Sequence, residues 1–404
     1  MGPLLLFDKS LLHVLIPAEI EELSRSFYLV GSPTLMGEIL ADLKKPLNDK
    51  KLPEEMVRAL ARKMTQGSAA HPATFRKLAF HNLDGVRVPM RGQVPIDGDA
   101  PNVAVVNGGR GMLYDKTPEQ NIWRQWAAGN FTTKDHDTAV RWRTGIERVN
   151  LRAIGDSWKQ YALAHFAHSR TISDLVTEVD QHLASPRRET QRSHLHILAD
   201  FLNIPVTRDL PAIIFLAHGC KLTTVAPYAA TILRLYLTFV AGIAKGLIGP
   251  RPSHYIDLQY LFYVPFCMVF ASDDNLHRRL WPATSGQNML ITAAELKADL
   301  ARRIQLQNEG QPTFHHGYPI PLDDSIITKA MDHAFGARWR TRLGRDDDDI
   351  MKPGTRIDDL PPLHRDRIRS AFSAFDAIRE DEADRTLKSP SCSQHRIVQG
   401  KDPQ

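Results

Sequence analysis

Hydrophobic positions fall into two patterns along the 404-residue chain. Short unbroken apolar runs cut off by polar residues predict strands buried on both faces, and apolar residues every three or four positions predict amphipathic helices. The first run, Leu4 to Phe7, stops at Asp8-Lys9-Ser10. The second, Phe27 to Val30, closes at Gly31-Ser32-Pro33. A helix then starts at Thr34 with Leu35, Ile39 and Leu43 on one face, and with Glu38 and Asp42 a turn apart. This strand–helix–strand–helix order predicts an α/β domain with a parallel sheet.

Residues 46–205 have a different texture. Amphipathic signal runs from Pro53 to Met64, and the stretch from Gly67 to Tyr114 is rich in Gly and Pro, with Val103 to Val106 before Asn107-Gly108 as its best strand. From Pro118 to Leu183 the pattern is helical, and Trp123, Trp126, Trp142 and Trp158 are expected to pack an internal core. This section reads as a mainly helical insertion into a discontinuous core formed by residues 1–45 and 206–307. A helix is expected at Leu195 to Leu202, near the end of the insertion, and others at Pro211 to His218 and Val225 to Leu247 within the second core segment. Asp257 opens another, Cys267 to Ala271 forms a strand ending in Ser272-Asp273-Asp274, and Asn288 to Thr292 is the last strand before a helix from Ala293 to Gln307. Residues 308–404 form a polar C-terminal extension, with a four-aspartate run at Asp346 to Asp349 that reads as a solvated face.

Composition adds little to this plan. The net charge of +5 and a pI near 9.0 are compatible with a polyanionic partner. Cys220, Cys267 and Cys392 are odd in number and far apart, which suggests neither a disulfide framework nor a zinc ribbon and suits a reducing cytoplasm. MGPLLLF lacks the basic region of a signal peptide, and Val225 to Ile248 is interrupted by Arg234 and Lys245, so a core helix is expected there and no membrane span.

The chemistry is carried by acids at strand ends or on the helices that follow: Asp8, Glu38, Asp257, and Asp273 with Asp274. Ligands of parallel sheets bind beyond the carboxyl ends of the strands. If the strands are neighbours, these carboxylates meet. Unit charges about 4 Å apart repel by roughly 4 kcal/mol at an effective dielectric of about 20. Such a group needs a cation, or one acid must hold a proton. Oxygen-only ligands favour Mg²⁺ or Mn²⁺ over zinc.

In the same places the chain resembles the PIN-domain nucleases. LLLFDKS is similar to that family's first strand, which ends in Asp with a hydroxyl residue two positions on. SPTLMGEILADL is similar to its Glu-bearing helix, YIDLQYLFYVPF to its late Asp-led helix, and MVFASDDNL to its last acidic strand end. The resemblance implies a PIN-like three-layer α/β/α domain with a central parallel sheet. It further implies metal-dependent hydrolysis of phosphodiester bonds, with RNA the expected partner rather than DNA. Asp8, Glu38, Asp257 and Asp274 would be catalytic metal ligands, with Ser10, Ser272 and Asp273 in support. Lys9 and Arg208, beside Arg187, Arg188 and Arg192, are candidates for a basic rim. A toxin or defence role follows only by analogy.

Each feature has an ordinary alternative. Asp8 could be a helix cap, Glu38 and Asp42 a solvated helix face, and Asp273-Asp274 a helix start. Asn107-Gly108-Gly109-Arg110-Gly111 lacks the Lys-Ser/Thr of a phosphate loop and reads as a turn. The pairs His165/His168, His194/His196 and His315/His316 lack a third ligand at supporting spacing and read as surface or loop histidines. The rival function is a non-catalytic interaction protein on the same fold, using the insertion to hold a regulatory partner or a second copy.

Overall fold

The computed structural model describes residues 2–342, apart from 46–51, 68, 91, 97–101, 107–108, 114–117, 206–209, 285 and 316–317. Arg208, Cys392 and the four-aspartate run therefore lie outside the described residues.

In chain order, β1 (Leu4–Phe7) runs into α1 (Lys9–Val14) and α2 (Pro17–Ser26), and β2 (Tyr28–Val30) into α3 (Pro33–Leu40). Next come α4 (Pro53–Thr65), β3 (Ala69–Ala70) and α5 (Phe75–Leu83). The hairpin of β4 (Asn102–Val106) and β5 (Gly109–Leu113) precedes α6 (Pro118–Ala128), α7 (Thr133–Glu147), α8 (Leu151–His165), α9 (Ile172–Leu183) and α10 (Arg188–Leu202). Four more helices follow: α11 (Pro211–Ala217), α12 (Leu222–Val225), α13 (Pro227–Ala244) and α14 (His254–Leu261). The described chain ends with β6 (Val269–Ala271), α15 (Asn275–Leu280), β7 (Met289–Ile291), α16 (Ala293–Asn308), the short pair β8 (Phe314–His315) and β9 (Tyr318–Pro319), and α17 (Ile326–Phe335).

Five strands form one all-parallel sheet in the order β3-β2-β1-β6-β7. β1 is central, with Leu5 opposite both Leu29 and Val269. Leu5, Leu6 and Phe7 are almost wholly buried, as the unbroken apolar run requires of a strand covered on both faces. From β1 the chain moves outward to β2 and β3, then returns on the other side as β6 and β7. The direction of winding therefore reverses between β1 and β6, where open parallel sheets have a crevice.

Side-chain caps fix where the flanking helices begin. Asp8 caps α1, Ser32 caps α3 with Pro33 in its first turn, and Asp274 caps α15. Each such cap is worth about 1 kcal/mol. The apolar α13 packs against α5, α8 and α9. By length and composition it could cross a membrane, but 72% of it is buried inside the protein.

Two expectations change. The section 46–205 is not wholly separate from the sheet, because Ala69–Ala70 pairs with β2 as its edge strand. Two alanines between turn residues carry no periodic signal. Of the four tryptophans, Trp123 and Trp126 are buried, whereas Trp142 and Trp158 are half-buried against the core. β4 and β5 pair antiparallel on either side of residues 107–108, which lie outside the described residues, and the pair belongs to a compact unit of its own.

Candidate active site

The carboxyl ends of β1 and β6 are neighbours, so Asp8, which follows Phe7, faces Ser272, which follows Ala271. One Asp8 oxygen accepts hydrogen bonds from the Ser10 hydroxyl at 2.5 Å and the Leu11 amide at 3.3 Å, and the other accepts from the Ser272 hydroxyl. Cap and site are thus one group. Glu38, on the helix after β2, accepts a hydrogen bond from the Tyr260 hydroxyl at 2.7 Å. Asp257 lies in the first turn of α14. Asp274 accepts from the Leu276 amide at 2.6 Å while capping α15.

His277, wholly buried, joins these pieces. Its Nε2 lies 2.8 Å from the Asp257 carbonyl oxygen, and its Nδ1 lies 2.6 Å from Ser272 Oγ and 3.7 Å from the Asp8 carboxylate. One imidazole therefore spans from the Asp8 side of the crevice to the Asp257 side. With Nε2–H donating to the carbonyl, Nδ1 has a lone pair. The single Ser272 proton then has two acceptors, Asp8 and His277, while the Asp274 amide donates to Ser272 Oγ at 3.0 Å. Burial lowers the His277 pKa, against the pull of Asp8 and Asp274.

The acids feel one another. Asp257 is pushed up to about 8, first by burial and then by the negative charges of Asp274, Glu38 and Asp8, with Arg251 pulling weakly the other way. Glu38 is raised too, chiefly by burial, with Asp8 and Asp42 adding to the rise and Lys9 and the Tyr260 hydrogen bond opposing it. Asp8, Glu38, Asp257 and Asp274 therefore share one electrostatic environment. Among the described residues, however, no three His, Cys, Asp or Glu side chains come together closely enough to hold a metal ion.

Other candidates fall elsewhere. Asp273 turns away and accepts a hydrogen bond from the Ala293 amide at 2.9 Å, tying the end of β6 to the start of α16. Lys9 is not a rim residue: it is buried, 2.7 Å from an Asp42 oxygen, and donates to the Glu38 carbonyl oxygen at 3.2 Å. Asp42 is not on a solvated face but buried between Lys9 and Lys45. The histidine expectation also changes. His165, His182 and His194, from three successive helices, lie in a row with ring centroids 4.6 and 4.7 Å apart, the first pair tilted and the second edge-to-face. His194 is fully buried with neither ring nitrogen partnered. Tyr260 and His277 escaped the sequence reading. The only hint was that they sit three residues after Asp257 and Asp274, one helical turn away.

The chain matches no family model, and neither a curated protein nor a solved structure is similar to it at a significant level.

Proposed function

We propose that the crevice between β1 and β6 is the centre of a metal-dependent, PIN-like nuclease acting on RNA. The observation that carries this reading is the raised pKa of Asp257 among three further acids at the reversal point of a parallel sheet. Such a site holds more carboxyl groups than it can ionise, and a divalent cation relieves it. The acidic donor set is all oxygen, which suits Mg²⁺ or Mn²⁺. Mg²⁺ keeps several of its waters and uses one or two carboxylates, so direct contact with three acids is not required. When bound, such an ion polarises a phosphate oxygen and lowers the pKa of a water.

The chain's own residues position the acids. Ser10, Ser272 and the Leu11 amide fix the Asp8 carboxylate, and Tyr260 fixes Glu38. Lys9 partly offsets the charge of Glu38 from behind, 4.0 Å away. Asp257 and Asp274 would face the cation's waters.

A second reading, a non-catalytic interaction protein on this fold, is favoured by the lack of three converging ligands among the described residues and by the Lys9–Asp42 pair that already offsets charge. Single-stranded RNA incubated with the protein in Mn²⁺ or Mg²⁺, and separately in chelator, distinguishes the two. The nuclease reading expects cleavage only with metal, lost on Asp8→Asn and on Asp257→Asn. Equal cleavage by the Asn variants, or none by the wild type together with no metal-induced rise in Tm, transfers the case to the interaction reading.

A further inference from the structure

A cleft of about 850 Å³ is lined in part by the two helices that carry Glu38 and Asp257. Pro33 and Thr34 of α3 line it one turn before Glu38, and Ile256 and Gln259 of α14 line it on either side of Asp257 in sequence. The opposite wall comes from α7 and the start of α8, within the section that interrupts the core. α7 approaches α3 so closely that a Cβ on Gly37 would meet the Trp142 ring at 2.5 Å, beside Glu38 in sequence.

The lining has two features of its own. Aromatic rings cluster in it: Trp142, Tyr255, Tyr263 and Phe75 are joined by Phe201 and Tyr236, whose rings stack at 4.0 Å. Arg76, Arg141 and Arg148 also line it; all three are exposed, and none pairs with a carboxylate among the described residues. Among the described residues, no Asp or Glu lines the cleft. The volume is that of a small-molecule site. Rings select a flat, apolar body, and guanidinium groups with no carboxylate partner suit an anion such as phosphate; that of Arg76 lies 5.9 Å from the Phe75 ring centroid and that of Arg141 donates to Thr138 Oγ1. A simple apolar acid would account for the rings but leave at least two of the three arginines without a purpose.

We infer that this cleft binds one nucleotide unit of a single-stranded nucleic acid, the base among the rings and the phosphate at the arginines. That the strand continues into the acidic crevice rests on the nuclease reading above; the affinity of the cleft for a nucleotide does not.

The probe is adenosine 5′-monophosphate, titrated calorimetrically into the full chain in chelator, where no cleavage can occur. Binding is expected to be saturable. It should weaken at least ten-fold for adenosine, which lacks the phosphate, and for an Arg141→Ala, Arg148→Ala double variant. Gly145→Leu supplies a steric test. Gly145 lines the cleft in α7, a Cβ there meets nothing within 4 Å, and leucine is the better helix former. The variant should keep its circular dichroism and lose binding at least ten-fold. Failure of the wild type to bind the nucleotide overturns the inference, as does unchanged binding in Gly145→Leu. So does laurate binding that Gly145→Leu abolishes while the nucleotide does not bind. The two readings fail separately. A chain that binds the nucleotide yet never cleaves RNA with Mn²⁺ loses the nuclease but keeps the cleft. One that cleaves RNA without binding the nucleotide keeps the nuclease and loses the cleft.

Discussion

A carboxyl group pushed up to about 8 is largely protonated at neutral pH, and Asp257 is in that state among Asp8, Glu38 and Asp274. In the unfolded chain an aspartate titrates near 3.9. Between those values the folded state holds more protons than the unfolded one, so the contribution of Asp257 to stability falls as pH rises from about 4 towards 8. In chelator at pH 8, Asp257→Asn should therefore melt a few degrees above wild type, and near pH 4 the two should converge. Mn²⁺ should raise the wild-type Tm more at pH 8 than at pH 6, with a smaller rise in the variant. Thermal melts across pH check both, and an Asn variant that melts lower at pH 8 would show the carboxylate to be structural. At this scale the sequence is readable where a residue's place just beyond a strand end or on the helix that follows dictates its surroundings, as for Asp8 and Asp274 in the first case and Glu38 in the second. It misplaces Lys9 on a basic rim and is silent on Tyr260 and His277. The roles of Lys9 and Tyr260 come from Glu38, 29 and 222 residues away, and that of His277 from burial beside Asp8 and Ser272, which local patterning does not encode.

Among the elements, strand and helix types were legible because apolar runs and caps act locally. β3 was not, since a pair of alanines becomes a strand only by pairing with β2. The histidine row was equally hidden, being assembled from α8, α9 and α10. Burial, together with the neighbouring histidines, lowers His182 to about 4 and His194 to about 3. Both lie below the unfolded value of about 6.5, so the unfolded chain binds more protons across that interval and stability is lost as pH falls from 6.5 towards 4. Relative to wild type, His194→Phe should lose less Tm, or gain more, between pH 7 and pH 4.5; an unchanged difference would clear His194 of blame. A second prediction concerns Arg303 on α16, wholly buried, which donates to the carbonyl oxygens of Thr313 and Ile320 and to Ser325 Oγ, 3.7 Å from Asp299. It pins β8, β9 and α17 to the core. Arg303→Met leaves a buried carboxylate without its partner and should cost about 3 kcal/mol in denaturant unfolding, with Arg303→Met, Asp299→Asn together costing less. Additive losses would mean that the pair is not coupled.

For the whole molecule, the central pairing joins residues at opposite ends of a long chain segment. Leu5 lies beside Val269, and the hydrogen bond from Ser272 to Asp8 closes a loop of 264 residues. Contacts of such range are slow to form, because the chain's entropy must be spent before they reward it. During synthesis β1 emerges first and can pair with β2 at once, yet its other edge stays bare until β6 leaves the ribosome. An unpaired apolar edge invites other strands. Refolding from denaturant should therefore show a slow phase in which β2–β1 protection precedes protection of β6, read by pulsed hydrogen exchange. A fragment ending at residue 205 should aggregate rather than stay monomeric; a monomeric, well-protected fragment would refute this order. The same closure sets when any chemistry can begin. Until Ser272 docks on Asp8 the crevice does not exist, so a nascent or truncated chain carries Asp8 and Glu38 without Asp257 and Asp274 beside them.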